Sequence, residues 1–296
     1  MLMLALATLF AAPAADPGTG TSAFDFQNGD RVAFIGGTLI EREQQYGSWE
    51  LALTLRNKGK AVTFRNLGWS GDTPYCESRG SFDPASKGLE RTIELMKELK
   101  PSVIVICYGH VEALEATPDA KRFQAGLARM IDAFAPTKAR IILMTPTPFE
   151  NVKPFTNAEA KNKNLQLIVD ATKTVAQEKK LEFADLFTAI QSKAIKPAEG
   201  TTFTENGLHY DATGYRDTSA FFQKEALPLN SATEAIREKI VAKNELFFHR
   251  WRPQNQTYLF GFRKAEQGKN GKEIAEFDPL VEAKEKEIRE LVSGGK

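Results

Sequence analysis

The strongest constraint on this chain is a repeated alternation of short apolar runs with helically spaced segments. The first run, Val32-Ala33-Phe34-Ile35, goes straight into Gly36-Gly37-Thr38. Further runs occupy residues 61–64, 102–107, 140–144 and 181–184. A continuous apolar run of four to six residues reads as a strand buried on both faces, the kind that parallel sheets contain. Between the runs, residues 42–57, 89–99, 123–134 and 162–178 carry apolar side chains at helical spacing,. Strand and helix in strict alternation predict an α/β three-layer sandwich around a parallel sheet of about five strands. In such sheets ligands bind outside the carboxyl ends of the strands, so the loops there are where chemistry is expected.

Charge excludes some functions at the outset. The 296 residues carry 39 basic and 38 acidic side chains, which leaves no electrostatic footprint for nucleic acid,. Met1 to Phe10 is apolar and runs into Ala-Ala-Pro-Ala-Ala. That stretch is too short to span a bilayer, and it has the form of a signal-peptide core with a small-residue cleavage site, although the usual basic start is missing. The expectation is an exported protein, periplasmic or extracellular, with a leader over 1–22. A main domain is expected over 23–230, and a helical extension over 231–296 packed on it. Export would permit a disulfide between Cys76 and Cys107, but Cys107 lies inside an apolar run, which favours two thiols. No Cys/His cluster has metal-ligand spacing, and no cofactor is expected.

Five loops stand at the carboxyl ends of the runs. The first presents Gly37 and Thr38 where a nucleophile would sit. The second is Asn66-Leu67-Gly68-Trp69-Ser70-Gly71-Asp72-Thr73, the third Tyr108-Gly109-His110-Val111-Glu112, the fourth Thr145-Pro146-Thr147-Pro148. The last is Thr204-Glu205-Asn206-Gly207-Leu208-His209, ahead of a helix starting near Ala212. Each loop alone also reads as an ordinary turn.

Taken together and in order, these blocks resemble the GDSL, or SGNH, hydrolase family over roughly residues 31–227, in an exported, planctomycete-like bacterial branch. Gly36-Gly37-Thr38-Leu39 matches the Gly-Asp-Ser-Leu block. The second loop matches the block whose glycine, here Gly71, lends a backbone N–H to an oxyanion hole. Gly109-His110-Val111-Glu112 stands in the place of Gly-X-Asn-Asp, and Asn206-Gly207-Leu208-His209 in that of Asp-X-X-His. The resemblance implies acyl transfer from an ester to water, with small acyl (acetyl) esters of carbohydrates as the expected substrates. Catalytic candidates are Thr38, Gly71, His209 and Glu205; substrate-binding candidates are Gly37, His110, Glu112 and Asn206. Four positions depart from the family pattern: Gly37, Thr38, Val111 and Asn206. Threonine's extra methyl restricts χ1 and crowds attack. An amide at the acid position brings no charge to stabilise an imidazolium. Glu205 and Asp211 are the alternative candidates for orienting His209, and Glu112 is a candidate to bring a carboxyl to the pocket. The alternative is a catalytically silent protein that keeps the fold and binds a glycan or an ester-bearing ligand; a structural envelope protein is a third class with no specific support.

Beyond the blocks, helices are expected at 232–247 and 279–291. Residues 248–264 are rich in aromatics and arginines without a clear period. The cluster from Phe247 to Arg252 either staples the extension to the sheet, the favoured reading, or folds over the pocket to meet a sugar or an anion.

Overall fold

The computed structural model describes residues 21–81, 83–223, 227, 230–253, 255–266 and 269–294. The expected leader over 1–22 therefore lies, but for its last two residues, outside the described residues. Five strands, β1 (Arg31–Gly36), β2 (Thr63–Gly68), β3 (Val103–Cys107), β4 (Arg140–Met144) and β5 (Glu182–Ala184), form one sheet in the order β2-β1-β3-β4-β5. All four pairings are parallel. The alternation in the sequence thus becomes the parallel α/β sandwich it predicts.

Period-two alternation divides each strand between two cores. Ala33, Ile35, Ile104, Ile106, Ile141 and Leu143 face one side. There they meet Met96 of α3 (Ser86–Leu99), Leu127 and Met130 of α5 (Ala120–Phe134), and Leu165 and Ile168 of α6 (Ala158–Lys179). Between α3 and α5 lies the single turn α4 (His110–Leu114). Val32, Phe34, Val103, Val105 and Ile142 face the other side. They meet Ile40 of α1 (Thr38–Tyr46), Trp49 and Leu53 of α2 (Ser48–Arg56), Leu186 of α7 (Leu186–Gln191) and Tyr215 of α8 (Ala212–Thr218). Cys76 and Cys107 are both buried and both free thiols.

Two expectations need correction. The helix expected over 42–57 is two helices, broken at Gly47, whose φ of 67° is left-handed and whose N–H closes α1 on Glu43 O at 2.8 Å. Apolar periodicity alone ran straight through this break. Strand β2 lies at Thr63–Gly68 rather than 61–64, in register with β1 from Arg31↔Thr63 to Gly36↔Gly68. The polar pair Arg65-Asn66 hid its second half. Asn66 is satisfied locally, its amide donating to Ile40 O at 2.6 Å and its oxygen accepting from Gly68 N at 2.9 Å. Only glycine fits at 68, because a Cβ there would lie 2.1 Å from Glu41 N. That close approach brings the first turn of α1 against the end of β2, and so the first loop against the second.

The C-terminal segment comprises α9 (Ser231–Trp251), α10 (Gln256–Leu259) and α11 (Phe277–Ser293). Helix α9 opens with a capping box between Asn230 and Thr233 and runs four residues further than expected,. It packs on α11 on one side and on α1, α2 and β2 on the other. The buried Lys243 ammonium bonds the Glu50 carboxylate of α2 and Phe64 O of β2. Among the described residues, no helix is long and apolar enough to cross a membrane.

Candidate active site

Thr38 is the first residue of α1, with Gly37 as its N-cap and no capping side chain. The Thr38 Oγ1 accepts a hydrogen bond from the backbone N–H of Gly71 at 3.2 Å. The second loop is tied down around that contact. Trp69 N donates to Gly36 O at 2.9 Å. Ser70 donates through its N–H, at 2.5 Å, and its hydroxyl, at 3.0 Å, to the Glu41 carboxylate. Below, the buried Asp72 carboxylate accepts from Arg79 Nε at 2.6 Å and from the Tyr108 hydroxyl at 2.8 Å. Arg79 also donates to Leu67 O at 2.8 Å. Burial works against the Arg79 cation, but Tyr108 and Asp72 outweigh it and the Arg79 pKa is raised. This network spans both ends of the loop and holds the Gly71 N–H in place.

In the third loop, His110 Nε2 lies 2.6 Å from Thr147 O. A carbonyl only accepts, so Nε2 carries the proton and the ring links the third loop to the fourth. Burial pushes the His110 pKa down to about 4, although the Thr147 bond works against it, and His209 pushes the same way as burial. Glu112 is buried, and burial raises its pKa to about 7; its Oε2 has no hydrogen-bond partner among the described residues. Val111 brings no polar group.

The last loop decides what His209 can do. Asn206 Oδ1 accepts from the N–H groups of His209 at 2.8 Å and Leu208 at 3.2 Å. Those two donors fix which end of the amide is oxygen. The Asn206 NH2 then faces His209 Nδ1 at 3.0 Å. An amide N–H donates, so Nδ1 must accept, and the ring proton sits on Nε2. A general base for a hydroxyl nucleophile needs the opposite tautomer, with Nε2 free. Burial lowers the His209 pKa, the Arg42 charge adds to that, and Glu205 opposes it.

Glu205 sits beside this histidine but its carboxylate is bound to Arg42 Nη2 at 2.9 Å. Arg42 also donates to Tyr210 O at 3.2 Å. The Asp211 carboxylate caps α8, accepting from Gly214 N at 2.8 Å. The Tyr215 hydroxyl of α8 donates to Leu39 O at 2.6 Å, which pins the histidine loop's helix to the turn that carries Thr38. Sequence reasoning missed Arg42 and the Asp72–Arg79–Tyr108 network. Arg42 was within reach, since it lies one helical turn after Thr38 on the same face. Among the described residues, no group of three or more His, Cys, Asp or Glu could hold a metal ion.

The parallel sheet carries a hydroxyl beside a backbone donor at one strand end and a histidine on the loop before α8, an open α/β fold with its candidate site at the carboxyl ends of the strands. The chain belongs to the GDSL-like lipase/acylhydrolase family, whose model matches residues 29–216. No curated protein matches it. Among solved structures it is similar to BT4096, a gut microbial diltiazem-metabolizing enzyme, at 14% identity and a TM-score of 0.56, covering 90% of this chain and 94% of that one. It is also similar to a catalytic mutant of Axe2, an acetylxylan esterase from Geobacillus stearothermophilus, at 17% identity and a TM-score of 0.53. That match covers 70% of this chain and 100% of the other. A third is LAE5, an alpha/beta hydrolase from the metagenome of Lake Arreo, at 16% identity and a TM-score of 0.52, covering 67% and 94%. At these identities the likeness is one of fold.

Proposed function

We propose that the chain is an exported ester hydrolase that removes small acyl groups, acetyl foremost, from carbohydrates, slowly and through Thr38. The observation that carries this reading is the 3.2 Å bond from the Gly71 N–H to Thr38 Oγ1. A donor next to the nucleophile oxygen is where the oxyanion of an acyl transfer would form. Thr38 Oγ1 bonds to the ester carbonyl carbon with the negative charge developing toward the Gly71 N–H, the ester C–O bond breaks, and the hydroxyl proton passes through solvent to the departing alcohol; water then adds to the acyl-threonine, releases the free acid and restores the hydroxyl. The Axe2 comparison supports acetylated sugars as substrates to try first.

The test is acetate release from p-nitrophenyl acetate and from acetylated xylo-oligosaccharides by the purified protein. Thr38→Ala should bring both to background. Thr38→Ser, which keeps the hydroxyl and removes the methyl that restricts χ1, should be faster by about tenfold. Hydrolysis that survives Thr38→Ala would move the conclusion to the second reading, a protein that binds acylated glycans without turnover. The specific observation favouring that second reading is the Asn206 amide on His209 Nδ1.

A further inference from the structure

A cleft of about 820 Å³ opens beside the second loop, between Trp69, helix α3 and the C-terminal segment. Its volume is in the usual range for ligand sites, roughly 300–1,000 Å³. The wall nearest the candidate active site is Trp69, two residues from Gly71. Arg252 holds this wall: its guanidinium lies 3.5 Å from the Trp69 ring centroid and pairs with Glu41 at 2.7 Å. Glu41 is the carboxylate that also anchors Ser70. The C-terminal segment therefore packs directly on the loop that supplies the oxyanion N–H.

The arginines of the cleft are already matched. Arg79 pairs with Asp72, Arg91 with Asp83, Arg252 with Glu41, and Glu98 with Arg250. No lining arginine is left over to attract a phosphate, sulfate or uronate, which would have to break an existing pair. The rest of the lining is aromatic, aliphatic and neutral polar, apart from the Glu94 carboxylate. Phe260 lines the cleft and is 52% exposed, an aromatic face without a cover. Phe248 and Trp251 continue it inward, and Ser81, Gln256 and Thr257 supply hydroxyl and amide groups. Apolar faces among neutral donors and acceptors suit a ring with one C–H face and a rim of hydroxyls.

We propose that this cleft binds the neutral main chain of an oligosaccharide, so that an acyl group on a neighbouring sugar lies over the second loop at Thr38. The inference rests on the carbohydrate-ester reading above and deepens it: the protein would hold a glycan chain, not an isolated acyl sugar. Phe260 and Gln256 are the binding residues, and neither belongs to the candidate catalytic machinery.

Titration of the full chain with unacetylated xylotetraose, cellotetraose and chitotetraose, followed by calorimetry and tryptophan fluorescence, tests it without turnover. At least one tetrasaccharide should bind and shift the emission. Phe260→Ala, at a half-exposed position, should weaken binding about tenfold,. Gln256→Ala, which deletes an exposed amide from the cleft rim, should weaken it as well. Both variants should hydrolyse p-nitrophenyl acetate at the parent rate. Binding by none of the three sugars, or binding that both variants leave unchanged, overturns the proposal. Because binding and small-ester hydrolysis are read separately, Thr38-dependent hydrolysis without tetrasaccharide binding removes the cleft and keeps the esterase. Binding without hydrolysis does the reverse.

Discussion

Asn206→Asp should raise ester hydrolysis by about a thousand- to ten-thousandfold, because replacing a triad carboxylate with an amide costs about that much elsewhere. The exchange is nearly isosteric. Its Oδ1 would still accept from the N–H groups of Leu208 and His209, as the Asn206 oxygen does now. The other oxygen would face His209 Nδ1 in place of the NH2. A carboxylate there accepts a hydrogen bond from Nδ1–H, which moves the ring proton to Nδ1, frees the Nε2 lone pair and stabilises an imidazolium. The His209 pKa, now lowered by burial and by Arg42, should rise, since an opposite charge favours the protonated ring,. Two measurements check this: acetate release against pH, and an NMR titration of the His209 ring in parent and variant. A raised pKa with unchanged turnover would show that the tautomer is not limiting, and would leave the Thr38 methyl or the missing donor at Val111 as the obstacle. An unchanged pKa would remove the amide argument altogether. Glu205 is a weaker source of the same effect, because its carboxylate is engaged by Arg42.

How much of this was readable in advance follows from burial. Strands β1, β3 and β4 are apolar along their length because both faces are covered, so a continuous run announced them. The end of β2 carries Arg65 and Asn66, whose polar groups find partners that only the folded chain supplies. Helices α1 and α2 merged in the sequence because Gly47 interrupts the backbone without interrupting the apolar spacing. The loops that carry Thr38, Gly71, His110 and His209 were legible by position, as strand ends in a parallel sheet. Their consequences were not. The tautomer of His209 depends on two backbone donors reaching Asn206 Oδ1, and the commitment of Glu205 depends on Arg42, 163 positions away in the chain. Likewise the aromatic and arginine cluster lost its period because Arg252 leaves α9 to cover Trp69, which is a tertiary contact.

Lys243 shows the same limit, and it carries the second large prediction. A lysine within a charged helix reads as solvated, yet this one is 1% exposed and bonds the Glu50 carboxylate. Glu50 in turn sits beside Glu43, which is buried and has its pKa raised to about 8 by desolvation and by the Glu50 charge. Burial raises the Glu50 pKa too, with Lys243 holding it down. Lys243→Met should therefore cost about 3–5 kcal/mol of folding stability at pH 9, the usual loss when one partner of a buried pair is removed. The loss should shrink toward pH 5. Carboxyls whose folded pKa lies above the unfolded value bind more protons when folded, so stability falls as pH rises from the ordinary carboxylate range through about 8,. Without Lys243 the Glu50 pKa climbs further and that slope steepens. Adding Glu50→Gln to Lys243→Met removes the unpaired charge and should recover most of the stability at pH 9. Denaturant unfolding at pH 5 and pH 9 for the parent, single and double variants reads all of this. A single variant that loses the same amount at both pH values would show that Lys243 contributes by packing alone, and equal stability of parent and variant would show that helix α9 holds to α1, α2 and β2 through its apolar face.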